Sequence, residues 1–153
     1  MKLTVGSGYL KSNDLDHILS FVTSNLALVD SKSICGIEHL HQAAALSLSS
    51  HNNGFNLSKD KSTEVLLYLT SLRQISKALK LAGVNEDTKS VGWVFFGESC
   101  PDLSEIITED NSVISIQNYN FPKLAKDIDI NIADIIKQKI IMTRTATLPV
   151  QPR

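Results

Sequence analysis

Apolar residues recur along this chain with helical spacing in some stretches and in short unbroken runs in others. Leu15, Ile18, Leu19 and Val22 recur at helical intervals, which predicts a helix opened by Asn13 as N-cap with Asp16 three residues on. Ile37, Leu40, Ala44 and Leu48 fall on one face of a second helix between Gly36 and Ser50. Its run Ala43-Ala44-Ala45 is thin, so a neighbour can come close. From Ser62 to Gly83 the pattern changes midway. Val65, Leu66, Leu67, Tyr68 and Leu69 cover a whole helical circumference, and such a helix is buried on all sides. The expectation is that the domain encloses it; closure by a partner is the alternative. Asp60 or Ser62 caps this segment, and Gly83 is placed to end it in the left-handed conformation. A last helix spans about 132–141, with Ile132, Ile135, Ile136 and Ile140, and Asn120 with Pro122 opens a shorter one before it.

Strand signals are fewer. Leu3–Val5, ended by Gly6 and Gly8, Leu26–Val29 and Val113–Ile116 read as short strands. VGWVFFG at 91–97 is apolar on both faces and rich in β-formers, as a central strand covered on both sides would be. The tail from Thr145 has no helical pattern. These elements predict one α/β (α+β) domain over residues 1–153: a small mixed or antiparallel sheet of about four strands surrounded by helices.

Composition narrows the class. With 42% hydrophobic and 20% charged residues the chain suits an ordinary globular protein, and no apolar run is long enough to span a bilayer. The N-terminus lacks a signal-peptide core, and the isolated Cys35 and Cys100 fit a reducing compartment, so a cytoplasmic protein without membrane contact is expected. The net charge of −1 gives no whole-molecule field, so a nucleic-acid site would have to be a local patch.

Catalytic signals are weak. His39 and His41 in EHLHQ project about 200° apart on a helix and cannot share one ion. The expected arrangement is one histidine partly buried and hydrogen-bonded, the other in solvent. GSG at 6–8 lacks the spacing of a phosphate loop, and FGES at 96–99 that of a nucleophile elbow. No catalytic residue, cofactor or metal site is assigned. Glu98, Asp102, Glu105, Glu109 and Asp110 sum to −5 over 98–111; they read as a solvated acidic face, with a carboxylate cleft of a small enzyme as the alternative. The segment 59–80 carries Lys59, Lys61, Arg73, Lys77 and Lys80 against Asp60 and Glu64, a net +3. On a continuous helix Arg73, Lys77 and Lys80 share a face at i, i+4 and i+7, opposite Leu72, Ile75, Leu79 and Ala82. On spacing alone such a stripe reads as a solvated charged face; the sharper alternative is a surface that bonds phosphates.

GIEHLHQAAALSLSS at 36–50, followed by STEVLLYLTSLRQISKALKLAG at 62–83, resembles the kinase-binding regulatory subunit of the KEOPS complex. The resemblance rests on EHL with its alanine-rich helix, then E-x-L-L-Y-L, RQI-x-x-AL and the closing glycine. It is clear over about residues 36–97, and the short chain suits an archaeal version. It implies an α/β fold and a non-catalytic role in making threonylcarbamoyl-adenosine on tRNAs that read codons starting with A. It also implies direct docking on the amino-terminal lobe of a small atypical kinase-like ATPase, with the catalytic threonylcarbamoyl-transferase subunit in the same complex, and contact with tRNA at its CCA end. Combined with the charge pattern, this makes Lys59, Lys61, Arg73 and Lys77 the expected phosphate contacts, and Gln74 or His39 the group for a base edge. Ile132, Ile136 and Ile140 on the last helix, with the alanine-rich helix, are the expected kinase-docking surface. A purely structural subunit without RNA contact is the remaining alternative.

Overall fold

In the computed structural model, which describes residues 2–150, the run 91–97 is the axis of the molecule. It forms β3 (Ser90–Phe96), bonded to β1 (Leu3–Leu10) on one side and β2 (Leu26–Asp30) on the other. A short β4 (Ile107–Glu109) completes the sheet in the order β2-β3-β1-β4, with every pairing antiparallel.

Alternation along the strands sorts side chains onto two covered faces. Ala27, Val29, Val94 and Phe96 face a helical layer built from α2 (Ile37–Asn52), α3 (Lys61–Thr70) and α4 (Ile75–Ala82). Leu26, Leu28 and Val91, with Trp93 and Phe95, face α1 (Leu15–Leu19) and the loop carrying Leu103 and Ile106. A third cluster, around Cys35, Tyr119, Phe121 and Ile141, joins α5 (Phe121–Leu124) and α6 (Asp134–Ala146) to the base of α2.

Several local expectations need correcting. β1 does not stop at Gly6 and Gly8 but runs through both. The Trp93 indole lies over Gly6 and the Thr108 carbonyl lies against Gly8, so the missing Cβ atoms make room for neighbours that hold the strand extended. The fourth strand is Ile107–Glu109 and not Val113–Ile116. Asp110 accepts from the Ser112 amide at 2.9 Å and turns the chain into a 3-10 segment, Asn111–Ile114, that delivers Val113 and Ile114 to the core. The cap of α1 is Asp14, one residue after Asn13, accepting from the His17 amide at 3.2 Å. The segment 61–82 is two helices. Ser71 adopts φ 57° and ends α3, with Leu72 N–H donating to the Leu67 carbonyl in a Schellman-like closure. Gly83 is extended and not left-handed; a Cβ there would collide with the Leu79 carbonyl. The last helix starts and ends later than expected, at Asp134 and Ala146, because Thr145 faces inward. Asn120 does cap α5, through the Lys123 amide, with Pro122 in the first turn.

Candidate functional site: a cationic helix and an apolar face

α3 and α4 are joined by a short turn and run back along each other. Ser62 and Thr63 at the start of α3 share a groove with Leu79 and Gly83 at the end of α4. The cations therefore divide. Lys61 lies at the end of the hairpin nearest Lys80, with the exposed Lys59 two residues before it. Lys77 and Lys80 stand on the outer surface of α4, three residues apart and so adjacent around the helix. Among the described residues none of these four lysines lies within ion-pair distance of a carboxylate. The nearby Glu64 cannot neutralise them. It is fully buried and accepts from the Ser50 and Ser58 hydroxyls and the Leu57 and Ser58 amides, at 2.8 to 3.1 Å.

Arg73 separates from this group. It precedes α4, at the far end of α3, about 15 Å along the hairpin from Lys61. Its Nη2 donates to the Leu148 and Pro149 carbonyls at 2.9 Å each, which ties the turn to the segment after α6. The predicted i, i+4, i+7 stripe therefore does not form; Gln74, exposed, is the N-cap of α4. The opposite stripe is also not as expected. Ala78 and Ala82 are the buried residues of α4, whereas Ile75 and Leu79 are 40% and 48% exposed.

His39 is not a surface residue. It has no exposed area, and both ring nitrogens are used: Nδ1 accepts from the Cys35 amide at 3.0 Å, and Nε2 donates to Thr145 Oγ1 at 3.0 Å. Thr145 Oγ1 spends its own proton on the Tyr68 carbonyl at 2.8 Å, which fixes the tautomer. Burial pushes the imidazole pKa down to about 3, so the ring stays neutral. No nitrogen is left for a base edge. His41, two residues on, is exposed, as the spacing predicts.

The second surface is apolar. α6 buries Lys137, Ile141 and Thr145, a face at i, i+4 and i+8. The Lys137 ammonium is 3.5 Å from Asp134 and lies over the Phe121 ring. That orientation turns Ile135 and Ile136 outward, 62% and 49% exposed, while Ile132 and Ile140 rest partly buried on the third cluster. Of the three isoleucines expected at a docking surface, Ile136 alone is largely free. Ile135 and Ile37, which the sequence reading placed on helical faces and not at a docking surface, line the neighbouring cavity without Ile136. The available signal was the doublet Ile135-Ile136, which spans 100° of arc and cannot be covered by one narrow contact. Gly36, at φ 99°, opens α2 with no side-chain cap and sets Ile37 beside α6. Gln138 bridges the two helices by donating to the Cys35 carbonyl at 2.9 Å. Ile37, Ile114, Ile116 and Ile135 line a shallow cavity of about 520 Å³ with Glu38 and Asp134 at its rim.

The acidic stretch is spread over turns. Asp102 accepts from the Ser104 amide and Asp110 from Ser112, which holds both carboxyls below their usual range, and Glu105 faces His17 at 3.3 Å. Among the described residues no helix is long and apolar enough to cross a membrane.

Comparison with known proteins shows the family. The KEOPS complex subunit Cgi121 of Pyrococcus abyssi (strain GE5 / Orsay) is 28% identical over 109 residues, 70% of this chain. The chain spans about 61% of the length of that relative. Residues 11–141, which include α1 to α5, β2 to β4 and the first half of α6, match the family described as kinase binding protein CGI-121, and the chain belongs to that family.

Proposed function

We propose that this chain is a non-catalytic subunit of a KEOPS-type tRNA-modification complex that docks on a kinase-like ATPase through the apolar face of α2 and α6, and holds tRNA through the lysines of α3 and α4. The exposed Ile135, which shares a cavity with Ile37, carries the docking half, with the exposed Ile136 next to it on α6. Isoleucines left half-exposed around a concave surface lose water when a partner covers them, at about 25 cal/mol per Å² of apolar area. Glu38 and Asp134 at the rim favour a partner surface with basic residues at its margin. Lys59, Lys61, Lys77 and Lys80 support the RNA half, because ammonium groups without internal carboxylates are available to phosphates. Gln74, exposed before α4, is a candidate for an unpaired base at the CCA end.

Two variants separate the halves. Ile135→Asp should abolish co-elution with the purified kinase-like ATPase and leave tRNA affinity unchanged. Lys77→Glu with Lys80→Glu should weaken tRNA binding and flatten its salt dependence by about two units of slope, while kinase binding persists. A gel shift that is equal for intact tRNA and tRNA lacking its CCA end would reject recognition of that end.

A further inference from the structure

β2 lies at the edge of the sheet, and its register shows which of its backbone groups lack a partner. Phe96 N–H donates to the Asn25 carbonyl, so the opposed pair Asn25 and Phe96 is a bonded one. Bonded and non-bonded pairs alternate in an antiparallel ladder. Ala27 and Val29 therefore bond to β3, while Leu26 and Leu28 point their N–H and C=O away from it. Leu26 is satisfied locally: its amide donates to Thr23 Oγ1 at 3.0 Å and its carbonyl accepts from the Thr23 amide at 3.2 Å. Among the described residues Leu28 N–H and C=O have no partner, and Leu28 is 4% exposed.

Leu28 and Ala27 line a groove of about 260 Å³ at this edge. Leu19 and Val22 form one wall, Thr63, Leu66 and Leu79 the other. Its lining is uncharged and smaller than the roughly 300–1,000 Å³ typical of small-molecule pockets. Positive charge lies next to the lining in the chain: Lys61 precedes the lining residue Ser62, and Lys80 follows Leu79 and stands three residues before Gly83.

We infer that this groove takes an extended segment of a partner polypeptide, uncharged and β-branched at its centre and acidic at one end, which adds to the sheet beside β2. A matched N–H and C=O on the floor is what a strand supplies and requires, and alternate side chains of that strand would meet the two apolar walls. The carboxylate end meets Lys61 and Lys80. A second copy of this chain is a poor occupant, because the edge is recessed: two copies would meet wall against wall before their Leu28 residues could pair. This surface is separate from the α2 and α6 face, and it shares Lys61 and Lys80 with the proposed tRNA contacts.

The test is an NMR titration of the full isotope-labelled chain with a capped peptide, Ser-Val-Ile-Val-Glu. Saturable shifts at Leu28 and Val29, with Leu28 amide exchange slowed about tenfold or more, are expected. Methylation of alternate peptide nitrogens, which removes the donors, and Leu79→Glu, which charges one wall, should each weaken binding about tenfold or more. Leu79 is half-exposed, so that variant should keep its fold. Absence of saturable shifts, or equal binding of the methylated peptide, would overturn the inference. So would Leu28 protection that grows with protein concentration alone, or protection by a CCA-ended RNA and not by the peptide.

Discussion

α3 and α4 follow one another in the chain with similar apolar content, and the fold treats them in opposite ways. In α3 every residue from Glu64 to Leu69 is buried, because α2, the sheet and α6 surround it. α4 touches the molecule through Ala78 and Ala82 and leaves Ile75 and Leu79 half in solvent. Small residues let α4 approach closely, and larger ones at its margin are then lifted out of the contact. The anchors differ as well. α3 is fastened at its start by Glu64 and near its end by the chain His39–Thr145–Tyr68, whereas α4 begins at Gln74 with no side-chain cap. An apolar residue at helical spacing thus marks a core position only when something exists to cover it.

The largest break in this contrast comes from matched truncations. Leu67→Ala should cost about 3–5 kcal/mol, since a fully buried leucine leaves a cavity, while Leu79→Ala should cost under about 1 kcal/mol. Urea unfolding of the pair measures both, and similar losses would contradict the burial assignment. Next in size is the anchor of α3. Glu64→Ala strands the Leu57 and Ser58 amides and should cost about 3 kcal/mol, with faster exchange of both amides. Capping α4 by Gln74→Asp should change stability by about 1 kcal/mol or less.

A separate, pH-dependent effect comes from His39. His39 titrates near 6.5 when unfolded and at about 3 in the fold, held down by burial. Between those values the unfolded chain binds a proton that the native chain does not. The contribution of the neutral ring is therefore complete above about pH 6.5 and is lost as pH falls toward 3, at a slope of up to about 1.4 kcal/mol per pH unit. His39→Gln should flatten that part of the profile, which chemical denaturation at several pH values would show.

The central strand, the buried half of the 62–83 segment and the cap of α5 were legible because each depends on a local pattern: a doubly apolar run, an apolar circumference, or Asn before Pro. The divided helix was not. Its break at Ser71 uses a serine in a conformation usually left to glycine, and its reason is tertiary, since Arg73 reaches back to the carbonyls at 148 and 149. The fourth strand was missed because three residues are too few to show alternation. At the candidate site the lysines were picked out by charge alone. Ile135 was read only as part of a helical apolar pattern, because its exposure depends on which face of α6 Lys137 and Thr145 occupy, and a buried lysine is the opposite of what its residue type suggests.

Titration calorimetry of the purified kinase-like ATPase against this chain and its Ile135→Asp, Ile136→Asp double variant tests the functional reading most directly. Loss of affinity by about a hundredfold or more, with an unchanged circular-dichroism spectrum and unfolding midpoint, is the predicted result. Unchanged affinity in the folded double variant would contradict it.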